Sequence, residues 1–186
     1  MPSSAGAQAV ERFRPATPAD ATEIARIFID AWEAAYPGVL EPDVVGMWDL
    51  EQTAATMREL VLTPGDATIV ALGDDGAITG FTRFGPDPGW PARGRIHSVY
   101  VAPAASRRGI GTSLLRLAVE ALRAQGLDDA ALWVFEANGA ARALYASLGF
   151  VADGVRRVEP QFRAPEIQMV RALGDQGPAV ARSATR

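Results

Sequence analysis

The chain has 186 residues, 48% of them hydrophobic, with 22 acidic and 18 basic side chains, one histidine, no cysteine and a formal net charge of −4. That length suits one sizeable core and is short for two domains. Zero cysteine excludes a disulfide framework, a thiolate metal site and a cysteine nucleophile, the lone histidine leaves no arrangement for zinc, and the acidic balance gives no electrostatic footprint for nucleic acid.

No run approaches the ~20 apolar residues of a membrane span, and the first residues lack the charged-then-apolar order of a signal peptide. No membrane partner is expected, and a cytoplasmic location follows by default. Residues 1–10 and 174–186 mix small and polar types without apolar period and read as disordered tails around one domain over 11–173.

A short strand is expected around Arg12 to Arg14. Thr17-Pro18-Ala19-Asp20 then reads as N-cap, first-turn proline and capping acid. In the helix that follows, Ile24, Ile27, Phe28, Ala31 and Trp32 form one stripe. A second helical stretch spans Pro42 to Leu62, broken near Gly46 to Leu50. Ala67 to Leu72 and Ala77 to Phe84 read as strands joined by Asp74-Asp75-Gly76, a hairpin signal. Gly85 to Gly94, dense in proline and glycine, reads as a loop.

Arg95 to Val101 is a strand closed by Pro103. From Gly109 to about Gln125, Ile110, Leu114, Leu117, Ala118 and Leu122 keep helical spacing. Ala130 to Glu136 is apolar on both faces, as a central strand is. Asn138 caps another helix, Gly149 supplies its left-handed stop, and Phe150 opens a strand.

The junction Ser106-Arg107-Arg108-Gly109-Ile110-Gly111-Thr112 carries the chemistry. It ends a strand and opens an amphipathic helix, where unpaired N–H groups and the dipole favour an anion. Two glycines allow close backbone approach and two arginines add charge. A pyrophosphate suits such a cradle. The triphosphate loop G-x-x-x-x-G-K-[ST] is excluded because no lysine follows Gly111, and a dinucleotide fingerprint is weak because Leu114 stands where its third glycine belongs.

Val99-Tyr100-Val101-Ala102-Pro103, then Arg107-Arg108-Gly109-Ile110-Gly111, then Asn138-x-x-Ala141-x-x-x-Tyr145-x-x-x-Gly149-Phe150 resembles the GNAT family of acyl-CoA-dependent N-acetyltransferases. The likeness runs roughly from Phe13 to Leu173, and Ala31-Trp32-Glu33-Ala34-Ala35-Tyr36 is similar to the first helix of a bacterial subgroup of the family. It implies an α/β (α+β) fold with a mixed, mostly antiparallel sheet of six to seven strands and helices on both faces. It also implies acetyl-CoA as acyl donor without a metal, held by Val99, Tyr100, Val101, the stretch Arg107 to Thr112, Asn138 and Tyr145. The acceptor is a small-molecule or peptide amine, attacking directly in a ternary complex. Relatives often dimerise, so a homodimer is among the expected partners. An acyl-CoA-binding regulatory module with little or no turnover is the other reading.

Two departures bear on mechanism. Ser106 stands where the family's phosphate motif starts with Gln or Arg, and Gly94-Arg95-Ile96-His97 lacks the glutamate many relatives carry there. By its family position Tyr145 is the general acid. His97, whose ordinary pKa suits proton acceptance, and Glu136 at a strand end are the two candidate bases. Trp32 and Tyr36, with Asp30 and Glu33 nearby, are candidates for an acceptor pocket, since acids and aromatic faces both attract an ammonium.

Overall fold

The computed structural model describes residues 12–174. Its elements in chain order are β1 (Arg12–Pro15), α1 (Ala21–Ala35), α2 (Pro42–Val45), α3 (Leu50–Val61), β2 (Ala67–Leu72), β3 (Ile78–Asp87) and β4 (Trp90–Val101), then α4 (Ile110–Ala124), β5 (Asp129–Phe135), α5 (Gly139–Ser147), β6 (Val151–Val158) and β7 (Pro165–Ala172). The tails expected at 1–10 and past Gly174 lie outside the described residues.

Local chemistry sets several boundaries. The Asp20 carboxylate accepts the Thr17 N–H at 2.7 Å and two Arg14 N–H groups at 2.7 and 2.8 Å, which fixes the chain as it enters α1. Asp49 accepts the Gln52 N–H at 2.9 Å and starts α3 after the break. Asn138 accepts the Ala141 N–H at 3.0 Å and starts α5, which Gly149 stops at φ +84°.

The seven strands form one sheet in the order β1-β2-β3-β4-β5-β7-β6, antiparallel throughout except between β4 and β5. Alternation along the strands separates two layers. Val70, Phe81 and Phe135 meet Ile24, Phe28 and Trp32 of α1 on one face, with α2 and α3 beyond. Phe84, Ile96 and Leu132 meet Leu115, Ala118 and Leu122 of α4 on the other, where α5 also packs. Gly80 permits that second contact, because a Cβ there would sit 2.9 Å from the Tyr100 carbonyl oxygen and 3.3 Å from Leu114.

The expected loop from Gly85 to Gly94 is instead a hairpin. β3 runs on to Asp87 and β4 begins at Trp90, with Pro86 opposite Gly94. Proline is tolerated because β2 stops pairing at Phe84, so the edge that Pro86 leaves without a donor has no partner strand among the described residues. The buried Asp87 carboxylate holds the turn, accepting the Gly89 N–H at 2.9 Å and the Arg95 guanidinium at 2.7 Å.

A register shift between Arg83 and Phe84 leaves His97 as the extra residue of a bulge in β4. The bulge explains why Ile96 and Val99, three positions apart, both pack toward α4. All 18 basic residues are arginines, so the pairs Arg14–Asp20, Arg93–Asp129 and Arg156–Glu136 are guanidinium pairs. Among the described residues no helix is long and apolar enough to cross a membrane.

Candidate active site

The parallel pairing of β4 with β5 lasts three residues, Arg93 to Arg95 against Asp129 to Ala131, and the strands then separate. From Ile96 to Val101 the β5-facing edge of β4 has no ladder partner among the described residues, and a cleft of about 1140 Å³ opens there. That volume is above the ~300–1,000 Å³ usual for one small-molecule site, so it accommodates two ligands meeting end to end.

At one end the cleft reaches Ser106 and Gly111 and continues into a hollow of about 210 Å³ over Arg107, Gly109 and Thr112. Arg107 at φ 62° and Gly109 at φ 91° are both left-handed, a turn that gathers successive N–H groups on one concave side. Among the described residues no N–H from Arg107 to Thr112 has a backbone acceptor, and the first N–H of α4 that has one is that of Ser113, bonded to Gly109 at 3.0 Å. The Ile110 side chain turns into the core with Leu114, so its peptide edge faces out, while Arg107 and Arg108 stay exposed.

Midway, Tyr36, Tyr100, Asn138 and Tyr145 all line the cleft. Tyr36 interacts with Tyr100 and Asn138, while the Tyr100 ring packs on Phe28 at 5.0 Å. Burial holds the Tyr145 phenol above its ordinary pKa, and the nearby Tyr36 adds to the rise. Tyr145 therefore keeps its proton at neutral pH and is a hydrogen-bond donor.

His97 also lines the cleft. Burial, then the Arg83 charge, holds it below the ordinary histidine value, which outweighs Asp66 with its carboxylate 3.6 Å from Nε2. It is neutral at pH 7. Arg83 itself pairs with Asp66, and Arg95 with Asp87. Five buried side-chain polar atoms lack a partner among the described residues: the indole nitrogens of Trp32, Trp48 and Trp133, Arg83 Nε and His97 Nε2. All five residues line this one cleft.

Glu136 is not brought there. Its carboxylate pairs with Arg156 at 2.6 Å and its carbonyl accepts from Arg142 at 2.9 Å, away from the cleft lining. Asp30 and Glu33 face solvent on α1, whereas Trp32 and Tyr36 on the same helix end are buried against the cleft. Sequence reasoning missed Glu166. It is 6% exposed, lies opposite Phe135 on β7, and enters the cleft with Arg157 Nε 2.7 Å from its Oε2. Its place in Pro165-Glu166-Ile167-Gln168-Met169, where polar and apolar residues alternate, was the one available signal.

Residues 21–150 match the sequence profile of the Acetyltransferase (GNAT) family, more than half of the chain. The chain belongs to the GNAT family of acetyltransferases. Among its relatives is a probable N-acetyltransferase of Mycobacterium tuberculosis, 32% identical over 149 residues that cover 77% of this chain and 81% of the relative. A mycothiol acetyltransferase of Thermomonospora curvata is 36% identical over 112 residues, 59% of this chain and 36% of that protein, so this GNAT chain spans only about a third of that longer relative. Among solved structures, the PaiA N-acetyltransferase of Thermoplasma acidophilum in complex with coenzyme A superposes with a TM-score of 0.74 at 16% identity, covering 87% of this chain and 98% of that one. A ribosomal-protein-alanine N-acetyltransferase of Brucella melitensis gives 0.69 at 26% identity over 87% and 99%. The mixed, mostly antiparallel seven-stranded sheet is thus the GNAT fold.

Proposed function

We propose that the chain moves an acetyl group from acetyl-CoA to a primary amine by direct attack within a ternary complex. The observation that carries this reading is the row of peptide N–H groups from Arg107 to Thr112 without backbone acceptors, set at one end of a cleft large enough for two ligands. These N–H groups, with Arg107 and Arg108, fit a pyrophosphate. The unpaired edge of β4 at Val99, Tyr100 and Val101 fits an extended amide-bearing arm, which would add to it as a strand does. Asn138 and Tyr145 flank the same path.

The chemistry then falls to groups already in place. A free alkylamine has a pKa near ~10.4 and must lose a proton before it attacks a thioester carbonyl. His97, neutral and lining the cleft, is the proton acceptor this reading favours over Glu136, which does not line it. As the carbon–nitrogen bond forms and the carbon–sulfur bond breaks, charge develops on a sulfur whose conjugate acid has a pKa around ~8.5. The Tyr145 hydroxyl donates to it. Because burial makes that phenol hold its proton tightly, stabilisation by a hydrogen bond outweighs full proton release.

Calorimetric titration with acetyl-CoA, followed by thiol release over an amine panel, tests the reading. Binding and amine-dependent release are expected. Tyr145→Phe should lower turnover by about 10²-fold or more with little change in coenzyme affinity. Absence of coenzyme binding in the wild type would refute the proposal.

A further inference from the structure

Away from the cradle the cleft combines aromatic rings with buried charge. One wall is aromatic: Trp32 meets Tyr36 at 4.5 Å and Phe162 at 5.4 Å, and Phe135 meets Tyr36 at 5.2 Å, with centroids crossing edge to face or tilted. Beside it, two residues before Phe135 on the same face of β5, the Trp133 ring carries the Arg157 guanidinium at 4.2 Å, with Glu166 at 2.7 Å and Glu159 at 2.8 Å from that guanidinium. One guanidinium between two carboxylates leaves one negative charge uncompensated. The other cleft arginines do not cancel it, because Arg83 and Arg95 are paired with Asp66 and Asp87, and Asp49 is engaged at the start of α3.

Glu166 is the buried member of the pair, with its side chain 8% exposed against 30% for Glu159. It lines the cleft with Tyr36 and Tyr100, and its register partner Phe135 packs on the Tyr36 ring at 5.2 Å. Carboxylates are rarely kept this deep unless a cation or hydrogen bonds offset the lost hydration. Arg157 supplies only part of that offset.

We propose that Glu166 anchors the acceptor's ammonium and that the adjoining aromatic wall selects a monocationic primary amine carried on an aromatic or branched apolar body. This rests on the N-acetyltransferase reading above. A monoamine matches the one negative charge left over around Arg157, and its apolar body fills a wall of rings. A polyamine would bury further ammonium groups for which the cleft offers only Asp49, already engaged as the cap of α3. Glu166 selects and orients. The anchored ammonium gives up two protons: the first passes to His97 and on to water before attack, and the second, lost as the carbon–nitrogen bond forms and the carbon–sulfur bond breaks, is the one the departing thiolate finally carries.

The test measures kcat and KM by thiol release with 2-phenylethylamine, spermidine, kanamycin and a short peptide with a free N-terminus, beside acetyl-CoA affinity by calorimetry. The expected result is a kcat/KM for 2-phenylethylamine at least about tenfold above the other three, a gap of ~1.4 kcal/mol. Glu166→Gln should raise KM for that amine by about tenfold or more, with kcat and acetyl-CoA affinity little changed. Glu159→Gln, at the more exposed position, should raise KM by a smaller factor and serves if the Glu166 variant does not fold. Coenzyme binding together with preference for spermidine, kanamycin or the peptide overturns the substrate class and leaves the acetyltransferase reading standing. An unchanged KM in a folded Glu166→Gln protein overturns the anchor. No coenzyme binding by the wild type removes both.

Discussion

The two glycines of the cradle make opposite predictions. Gly109 sits at φ +91° with nothing within 4 Å of where a Cβ would stand. Alanine there meets no clash, so its cost is the left-handed backbone alone, about 1–2 kcal/mol. Gly111 lies inside the first turn of α4, and a Cβ would rest 3.6 Å from Leu144 and 3.7 Å from Val101, both ordinary contact distances. Alanine there removes glycine's helical penalty and should add about 0.5–1 kcal/mol of stability. For a chain of this size ~1 kcal/mol moves Tm by about 2–4 °C. Gly109→Ala should therefore melt about 2–8 °C below wild type, and Gly111→Ala about 1–4 °C above it. In calorimetry, Gly109→Ala should also weaken coenzyme binding, because relaxing φ turns the N–H groups from their common side, while Gly111→Asp should abolish it through a carboxylate set among phosphate-facing donors. Equal melting of the two alanine variants would refute the backbone argument, and wild-type affinity in Gly111→Asp would refute the cradle.

Two further tests follow from charge. Asp20 is held well below the ordinary carboxylate range, first by the Arg14 hydrogen bonds and against the cost of burial. Its contribution is complete above about pH 4 and is lost as pH falls through the lowered folded-state value. Asp20→Asn should cost about 1–2 kcal/mol at pH 7, discounted because Arg14 is 39% exposed, and the two melting curves should converge in strong acid; a constant gap down to pH 2 counts against this. His97 is likewise held below its unfolded value of about 6.5, so the folded chain binds fewer protons there and loses stability as pH drops beneath that value. His97→Gln should flatten the slope and shift the acidic limb of kcat/KM, and an unaltered limb would remove His97 as proton acceptor.

What the sequence disclosed was local. The start of α5 at Asn138, its stop at Gly149 and the break before α3 each depend on side chains within four residues of the backbone they serve. The hairpin at Asp87 was hidden because Pro86 and the glycines Gly85, Gly89 and Gly94 look like breakers until one knows that β2 has already ended beside them. Glu166 was hidden for a non-local reason: β7 inserts between β5 and β6, and only that crossover sets a carboxylate opposite Phe135 and beside Arg157. The pairing of Glu136 with Arg156 of β6 is non-local in the same way.

The guanidinium-only makeup of the ion pairs has a chemical consequence. An ε-amine is a nucleophile toward thioesters whenever it sheds its proton, whereas a guanidinium with a pKa above ~12 keeps its charge and does not compete. With all 18 cations of this kind, the protein offers its own acyl donor no side-chain amine to modify. Arg14, Arg83, Arg95 and Arg157 thus keep their carboxylate partners under prolonged exposure to reactive thioesters, a chemical ageing that would neutralise a lysine-built counterpart.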